Sequence, residues 1–272
     1  MSAQTEGGLL SARLFDALSK RDKGKVAVLG YLTPRESRQA QWILAGAGRE
    51  EEAFFFGGYD GAERVCLFLL PDYVLALLPE PPRDCPCEAV LELLEDAAKD
   101  AITPILISGS GFRTLTHRDY LGSILALGVE RDSFGDIALQ NDHEAVVFCS
   151  RSMATFFLET LERVGSDSVK CKLYEVDDRF TDGRRYEAIR DTVASPRLDC
   201  VVAALTNTSR EEAKRLIETG FVEVEFEPTD KCDLLLTPPL ALSVRGYGRY
   251  RLLSFDGKTK KDRLRLCADR LI

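Results

Sequence analysis

Between residues 105 and 176 the chain alternates short β-branched runs with segments of helical period, in the order β-α-β-β-α-β. That order implies the split βαβ, or ferredoxin-like, plait. Residues 105–108 read as the first strand. Thr116-His117-Arg118-Asp119 has a capping-box pattern, with Asp119 in the acidic place. The helix behind it has an apolar face of Tyr120, Leu121, Ile124, Leu125 and Leu127, and Gly128 ends it. Residues 137–139 and 145–149 flank Asn141-Asp142, a hairpin turn. Residues 153–164 have helical period, and 169–176 alternate as a strand.

The flanks divide the remainder. In the first segment, residues 1–82, Thr33-Pro34-Arg35-Glu36 opens a helix running through Trp42, Ile43 and Leu44 to Gly46 or Gly48. Residues 53–56 and 65–70 read as strands, giving an N-terminal α/β domain. Pro79-Glu80-Pro81-Pro82 breaks regular structure and marks the first boundary. The second segment, 83–192, opens with a helix over 88–99 and contains the plait. In the third, 193–272, Ser195-Pro196-Arg197-Leu198-Asp199 opens a helix through Leu205. Ser209-Arg210-Glu211-Glu212 is a capping box for a helix that buries Ala213, Leu216 and Ile217 and stops at Gly220. Residues 221–226 alternate as a strand, and Asp256-Gly257 turns the chain into Lys258-Thr259-Lys260-Lys261. The expected class is α+β, in three domains.

No uninterrupted apolar run is long enough to span a membrane. The first ten residues are polar and Gly-rich, without a secretory pattern. The eight cysteines are scattered, and Cys85-Pro86-Cys87 has neither redox nor zinc spacing. Reduced, buried thiols in a cytoplasmic protein are expected. Two histidines and no carboxylate cluster leave little basis for a metal, and no cofactor or catalytic residue is expected.

Charge is sorted along the chain. Residues 245–272 carry nine Lys/Arg against three Asp/Glu, while the first 194 carry 22 basic and 32 acidic residues. An acidic body repels nucleic acid, and a basic end with Gly-spaced arginines can hold phosphates. In Arg245-Gly246-Tyr247-Gly248-Arg249 the glycines admit close backbone approach, and the arginines offer forked donors. Arg210 and Lys214 lie one turn apart beside a helix N-terminus, although Lys214 could instead pair with Glu211 or Glu218. The rival motifs fail on context. His117-Arg118-Asp119 lacks the Asn that a kinase loop requires, and Ser108-Gly109-Ser110-Gly111 lacks the Lys of a phosphate loop. The middle strands lack the basic-Gly-aromatic signature of RNA-recognition motifs, so base stacking on that sheet is not expected.

Three pieces of the third segment resemble the small RNA-binding domain named after ribosomal small-subunit protein four, the alpha-L fold. They are Ser195-x-Arg197-Leu198-Asp199, Ser209-Arg210-x-x-Ala213-x-x-Leu216-Ile217-x-x-Gly220-x-Val222-x-Val224, and Ser243-x-Arg245-Gly246-x-Gly248-Arg249. With Leu32 to Glu36, Glu63-Arg64, 116–128 and Arg131-Asp132-x-Phe134-Gly135-Asp136-Ile137, nearly the whole chain resembles the YlmH family of bacterial cytosolic proteins. The resemblance implies a non-enzymatic, monomeric factor that binds rRNA and tRNA on the large ribosomal subunit carrying peptidyl-tRNA, in rescue of stalled translation. It also implies a link to cell division. The implied RNA-binding residues are Arg197, Arg210, Lys214, Arg245, Gly246, Gly248, Arg249, Lys258, Lys260 and Lys261, with Arg118 and Arg131 as secondary contacts. Two departures stand out. Glu225 replaces the usual Asn after Val-x-Val, and Pro239-Leu240-Ala241 lacks the usual acidic residue. Arg197-Leu198-Asp199 is similar to the active-site triplet of pseudouridine synthases, so an RNA-modifying enzyme is the alternative, and a cell-division adaptor is a third reading.

Overall fold

Thr33 begins its helix as its sequence dictates: its hydroxyl accepts from the Glu36 amide, and the Glu36 carboxylate accepts from the Thr33 amide at 2.8 Å. The same reciprocal pair joins Thr116 and Asp119. These caps fix two of the helices in a computed structural model that describes residues 3–177 and 180–272. The chain forms two compact units, residues 1–183 and 184–272. It is a mixed α+β protein with several sheets.

The first unit runs α1 (Ala3–Arg21), β1 (Ala27–Leu32), α2 (Pro34–Gly46), β2 (Ala53–Phe56), β3 (Val65–Leu69), α3 (Asp72–Leu75), α4 (Cys87–Ala101), β4 (Thr103–Ser108), α5 (His117–Ala126), β5 (Phe134–Asn141), β6 (Glu144–Cys149), α6 (Arg151–Thr160), β7 (Arg163–Val164), β8 (Asp167–Ser168) and β9 (Lys170–Leu173). One antiparallel sheet has the order β1-β3-β2 and another the order β5-β6-β4-β9. The period-2 pattern of strands decides the packing. In β3, Leu67 and Leu69 pack on Leu14 and Leu18 of α1 and Leu44 of α2. Cys66 and Phe68 point the other way, into a core shared with Val90 and Leu94 of α4 and with Leu106, Val146 and Phe148 of the four-stranded sheet. The opposite face of that sheet, with Ile105, Ile107 and Val147, packs on Tyr120 and Ile124 of α5 and Phe157 of α6. Both faces of the middle sheet are therefore buried.

A buried carboxylate fastens the two sheets. Asp136 accepts from Tyr59 Oη at 2.7 Å, the Glu63 amide at 2.8 Å and the Arg64 amide at 3.2 Å. Arg64 in turn donates to the carbonyls of Tyr31, Arg131 and Phe134. Gly135 is needed beside it, because a Cβ there would lie 2.4 Å from the Tyr31 ring.

Several boundaries differ from the sequence reading. The helix expected over 153–164 ends at Thr160, and Arg163–Val164 pairs with Asp167–Ser168 around Gly165 (φ 58°). A Gly-Ser turn closes this two-residue hairpin, and Gly165 supplies the positive φ it needs. The last strand of the expected plait is shorter, Lys170–Leu173. The cysteines are free thiols, but only Cys66, Cys149 and Cys200 are buried.

The second unit holds β10 (Tyr186–Val193), α7 (Leu198–Thr206), α8 (Arg210–Glu218), β11 (Val222–Val224), β12 (Glu227–Pro228), β13 (Leu240–Val244), β14 (Gly248–Lys258) and β15 (Leu264–Leu271). These strands form one antiparallel sheet of order β10-β15-β14-β13-β11-β12. β10 had no strand assigned in the sequence reading. It pairs with β15 along its whole length, Tyr186 opposite Leu271 through Val193 opposite Leu264. Helices α7 and α8 cover one sheet face, where Val201, Leu205, Leu216 and Ile217 meet Leu242, Val244, Tyr250, Leu252 and Leu266. The Ser209 cap is one-sided: its hydroxyl accepts from the Glu212 amide, while the Glu212 carboxylate pairs with Arg215.

The strand expected over 221–226 stops at Val224, because Glu225 (φ 53°) and Phe226 (φ 66°) form a tight turn into β12. Left-handed backbone at two consecutive positions suits Asn-Gly and strains a bulky aromatic. The two sequence departures prove to be one arrangement: the Glu225 amide donates to the Ala241 carbonyl at 2.7 Å, and the Ala241 amide donates to the Glu225 carboxylate. Phe226→Gly is expected to relieve the strain and raise the unfolding free energy by about 1 kcal/mol. A urea midpoint that falls in the variant would contradict the strain.

Candidate nucleic-acid interface

The second sheet has one face without a helix of its own unit. Because strand residues alternate, burying Tyr250 and Leu252 under α7 and α8 sends Arg249 and Arg251 to the other side. Register brings Arg265 of β15 and Arg190 of β10 to that same side, with Tyr186 at the strand start. Arg251 lies 3.7 Å over the Tyr186 ring and pairs with Asp269 at 3.3 Å, yet stays half exposed. Aromatic support holds a guanidinium in place while leaving donors outward.

The residues singled out from sequence fall into three places. Arg245, Gly246, Gly248 and Arg249 form the hairpin between β13 and β14. Gly246 (φ 87°) and Gly248 (φ 124°) supply its positive dihedrals. Arg245 stacks 5.2 Å over Phe221, and Arg249 lies 5.6 Å over Phe226. Arg270 joins this end, donating to the Tyr247 carbonyl at 2.9 Å.

Lys258, Lys260 and Lys261 sit at the opposite end of β14. Eleven residues of strand separate the two ends by about 30 Å. An extended strand thus stands between Lys260 and Lys261 and the arginine hairpin. Lys258 pairs with Asp262 at 2.7 Å, whereas Lys260 and Lys261 are exposed. Arg263 near them donates to the Thr192 hydroxyl at 3.0 Å.

Arg197 and Arg210 meet at Asp199, on the helical side. Asp199 is wholly buried. Arg197 reaches its Oδ1 at 3.1 Å, and Arg210 reaches Oδ2 at 2.6 Å. Burial pushes the Asp199 pKa up, but the hydrogen bonds from Arg197 and Arg210 outweigh it and hold the carboxyl at about 2. Lys214, one turn on from Arg210, is exposed, and among the described residues no ion pair joins it to Glu211 or Glu218.

In the first unit, Arg118 is exposed in the opening turn of α5. Arg131 is turned inward: it donates to the Phe134 and Gly135 carbonyls at 2.9 and 3.1 Å and lies 4.4 Å over the Phe134 ring. Burial, with the neighbouring Arg64 cation, pulls Arg131 down to about 10.

The sequence reading singled out neither Arg190, Arg251, Arg265 nor Arg270 for the interface. Alternation in 186–193 carries a signal for Arg190, but only the pairing with β15 puts it beside the others. Among the described residues no cluster of His, Cys, Asp and Glu is arranged to hold a metal, and no helix is long and apolar enough to cross a membrane.

The chain is similar to several known proteins. Residues 105–178 match a family profile described as "Putative RNA-binding domain in YlmH". The chain is 29% identical over 252 residues to "Ribosome-associated protein quality control protein P2" of Bacillus subtilis (strain 168), spanning 92% of this chain and 89% of that one. A solved structure, "Cell division protein ylmH from Streptococcus pneumoniae", aligns at TM-score 0.46 and 17% identity over 64% of this chain and 93% of its own. Residues 105–178 are thus similar to the RNA-binding domain of YlmH proteins, and nearly the whole chain is similar to the Bacillus subtilis protein.

The Asp199 pair sets a pH dependence. Its folded pKa lies below the unfolded value of 3.8, so its stabilisation, about 2 kcal/mol, is complete above about pH 4 and is lost as the pH falls towards 2. Asp199→Asn is expected to lower stability at pH 7 by about that amount and to flatten the acid limb. Equal urea midpoints for wild type and variant at neutral pH would remove the pair from the account.

Proposed function

We propose that this chain is a non-enzymatic factor that binds structured RNA through residues 184–272. The observation that supports the reading is the sheet face opposite α7 and α8, along which Arg190, Arg249, Arg251 and Arg265 are spread over three strands. Antiparallel sheets can leave one face to solvent, and arginines spread over such a face suit a phosphate contour better than a single groove. The hairpin Arg245 to Arg249 and the turn Lys258 to Lys261 extend the surface at its two ends, so the bound RNA spans about 30 Å. Folded RNA of that extent is read by shape and backbone. We read the second unit as the alpha-L RNA-binding type and the strand order β5-β6-β4-β9 as the ferredoxin-like plait.

The setting we propose is rRNA or tRNA on the large ribosomal subunit carrying peptidyl-tRNA, in rescue of stalled translation. The name of the Bacillus subtilis relative, a ribosome-associated quality control protein, supports this setting. The modifying-enzyme alternative requires Asp199 as a reactive group. A carboxylate with no exposed surface, held by Arg197 and Arg210, supports a fastening role instead.

Replacing Arg190, Arg251 and Arg265 together by Ala is expected to weaken binding of the full chain to purified large subunits at least tenfold. The slope of log K against log salt should fall by about 2. Lys260→Ala with Lys261→Ala should give a smaller change. Affinity within twofold of wild type in the triple variant would reject the sheet face as the interface.

A further inference from the structure

Among the described residues, Phe112 is the most exposed large apolar side chain, at 93%. It sits at the tip of the loop 109–116 between β4 and α5, a stretch the proposed function leaves unused. The phenyl ring contributes almost nothing to the core, and leaving it in water gives up the favourable burial of a Phe side chain.

The loop beneath it is not slack. The Gly109 amide donates to the His143 carbonyl at 2.8 Å, and the Leu115 amide donates to the Asp142 carbonyl at 2.7 Å. The Arg113 carbonyl lies 2.8 Å from His143 Nδ1. The Ser110 amide and hydroxyl both donate to Asp167, itself buried. Gly109 is required at this junction, since a Cβ would lie 2.7 Å from Asp167 Oδ2. Gly111 (φ 85°) makes the final bend that throws Phe112 outward. Leu115, buried, anchors the far end. The loop backbone that carries the ring is braced before it meets a partner, which removes part of the entropic cost of binding.

The surroundings are cationic. Arg113 follows the ring, Arg118 is exposed in the opening turn of α5 just after the loop, and Lys170 is exposed opposite Ser108 at the loop's root. Three carboxylates near the loop are engaged, Asp119 in the Thr116 cap, Asp167 by Ser110 and Glu144 by Ser108 and Asn141, while Asp142 beside Leu115 is exposed. Aromatic tip and basic flanks together match an unpaired base and its phosphates rather than an apolar peptide. The middle sheet cannot supply stacking, because Leu106, Val146 and Phe148 are buried against the first segment.

We propose that Phe112 stacks on an unpaired RNA base while Arg113, Arg118 and Lys170 hold the flanking phosphates. This rests on the RNA-binding reading above and adds a second, base-contacting point to it.

The test uses the full chain with two probes, a short RNA hairpin bearing an unpaired loop and a fully paired RNA duplex. Phe112→Ala should weaken hairpin binding about tenfold and change duplex binding less than twofold. Phe112→Trp, in a Trp42→Phe background, should keep hairpin affinity and show quenched fluorescence on binding. The ring's exposure keeps folding out of the comparison, and matching urea midpoints verify this. Unchanged hairpin affinity in Phe112→Ala, with wild type binding both probes, overturns the stacking site and leaves the sheet-face function standing. A variant that loses binding only to a protein of the ribosomal particle also overturns it, in favour of a protein contact. Wild type that binds neither probe overturns both proposals together.

Discussion

Whether a sheet's second face is covered decides where this chain can touch anything. Every sheet must bury one face to fold. In residues 1–183 the four-stranded sheet buries both, one against α5 and α6 and the other against the β1-β3-β2 sheet and α4. In residues 184–272 only one face is covered, by α7 and α8. The other face carries Arg190, Arg249, Arg251 and Arg265, together with Asp269, Thr192 and Ser254. With both faces of its central sheet covered, the first unit presents loops and helix surfaces outward, among them Phe112 on its loop, Trp42 on α2 and Arg118 at the start of α5.

Two interior carboxylates keep these arrangements in place, by the same physics. Asp136 and Asp199 are both buried and both fully engaged. A buried carboxylate without donors would be costly; with several, it fixes the chain segments that supply them. Asp136 gathers Tyr59, Glu63 and Arg64 onto β5. Asp199 gathers the start of α7 and the start of α8. In both cases an arginine that looks, in the sequence, like a ligand for something else is partly occupied at home. Arg131 and Arg197 belong to this group, and on the sheet face Arg251 is likewise held, by Asp269 and the Tyr186 ring.

Local chemistry was the legible part of the sequence. The Thr33 and Thr116 caps, the helices they open, the central strands of the middle sheet and the Gly-rich hairpin at 246 and 248 all follow from residues close together in the chain. What escaped was long-range. Pairing of β10 with β15 joins residues on either side of two helices, and no local signal announces it. The Glu225-Phe226 turn hid because neither residue is a usual turn former; its stabilising contact is with Ala241, on another strand. The separation of Lys260 from Arg245 was hidden too. Charge counted along a sequence does not reveal that the extended strand Gly248–Lys258 holds two clusters at its opposite ends.

The central claim is that RNA lies along the arginine-bearing face of the second unit. Ultraviolet crosslinking of the full chain to large ribosomal subunits, with crosslinked peptides identified by mass spectrometry, tests it most directly. Crosslinks concentrated in residues 186–193 and 245–271 are predicted. Crosslinks confined to residues 1–183, with none on β10, β14 or β15, would contradict it.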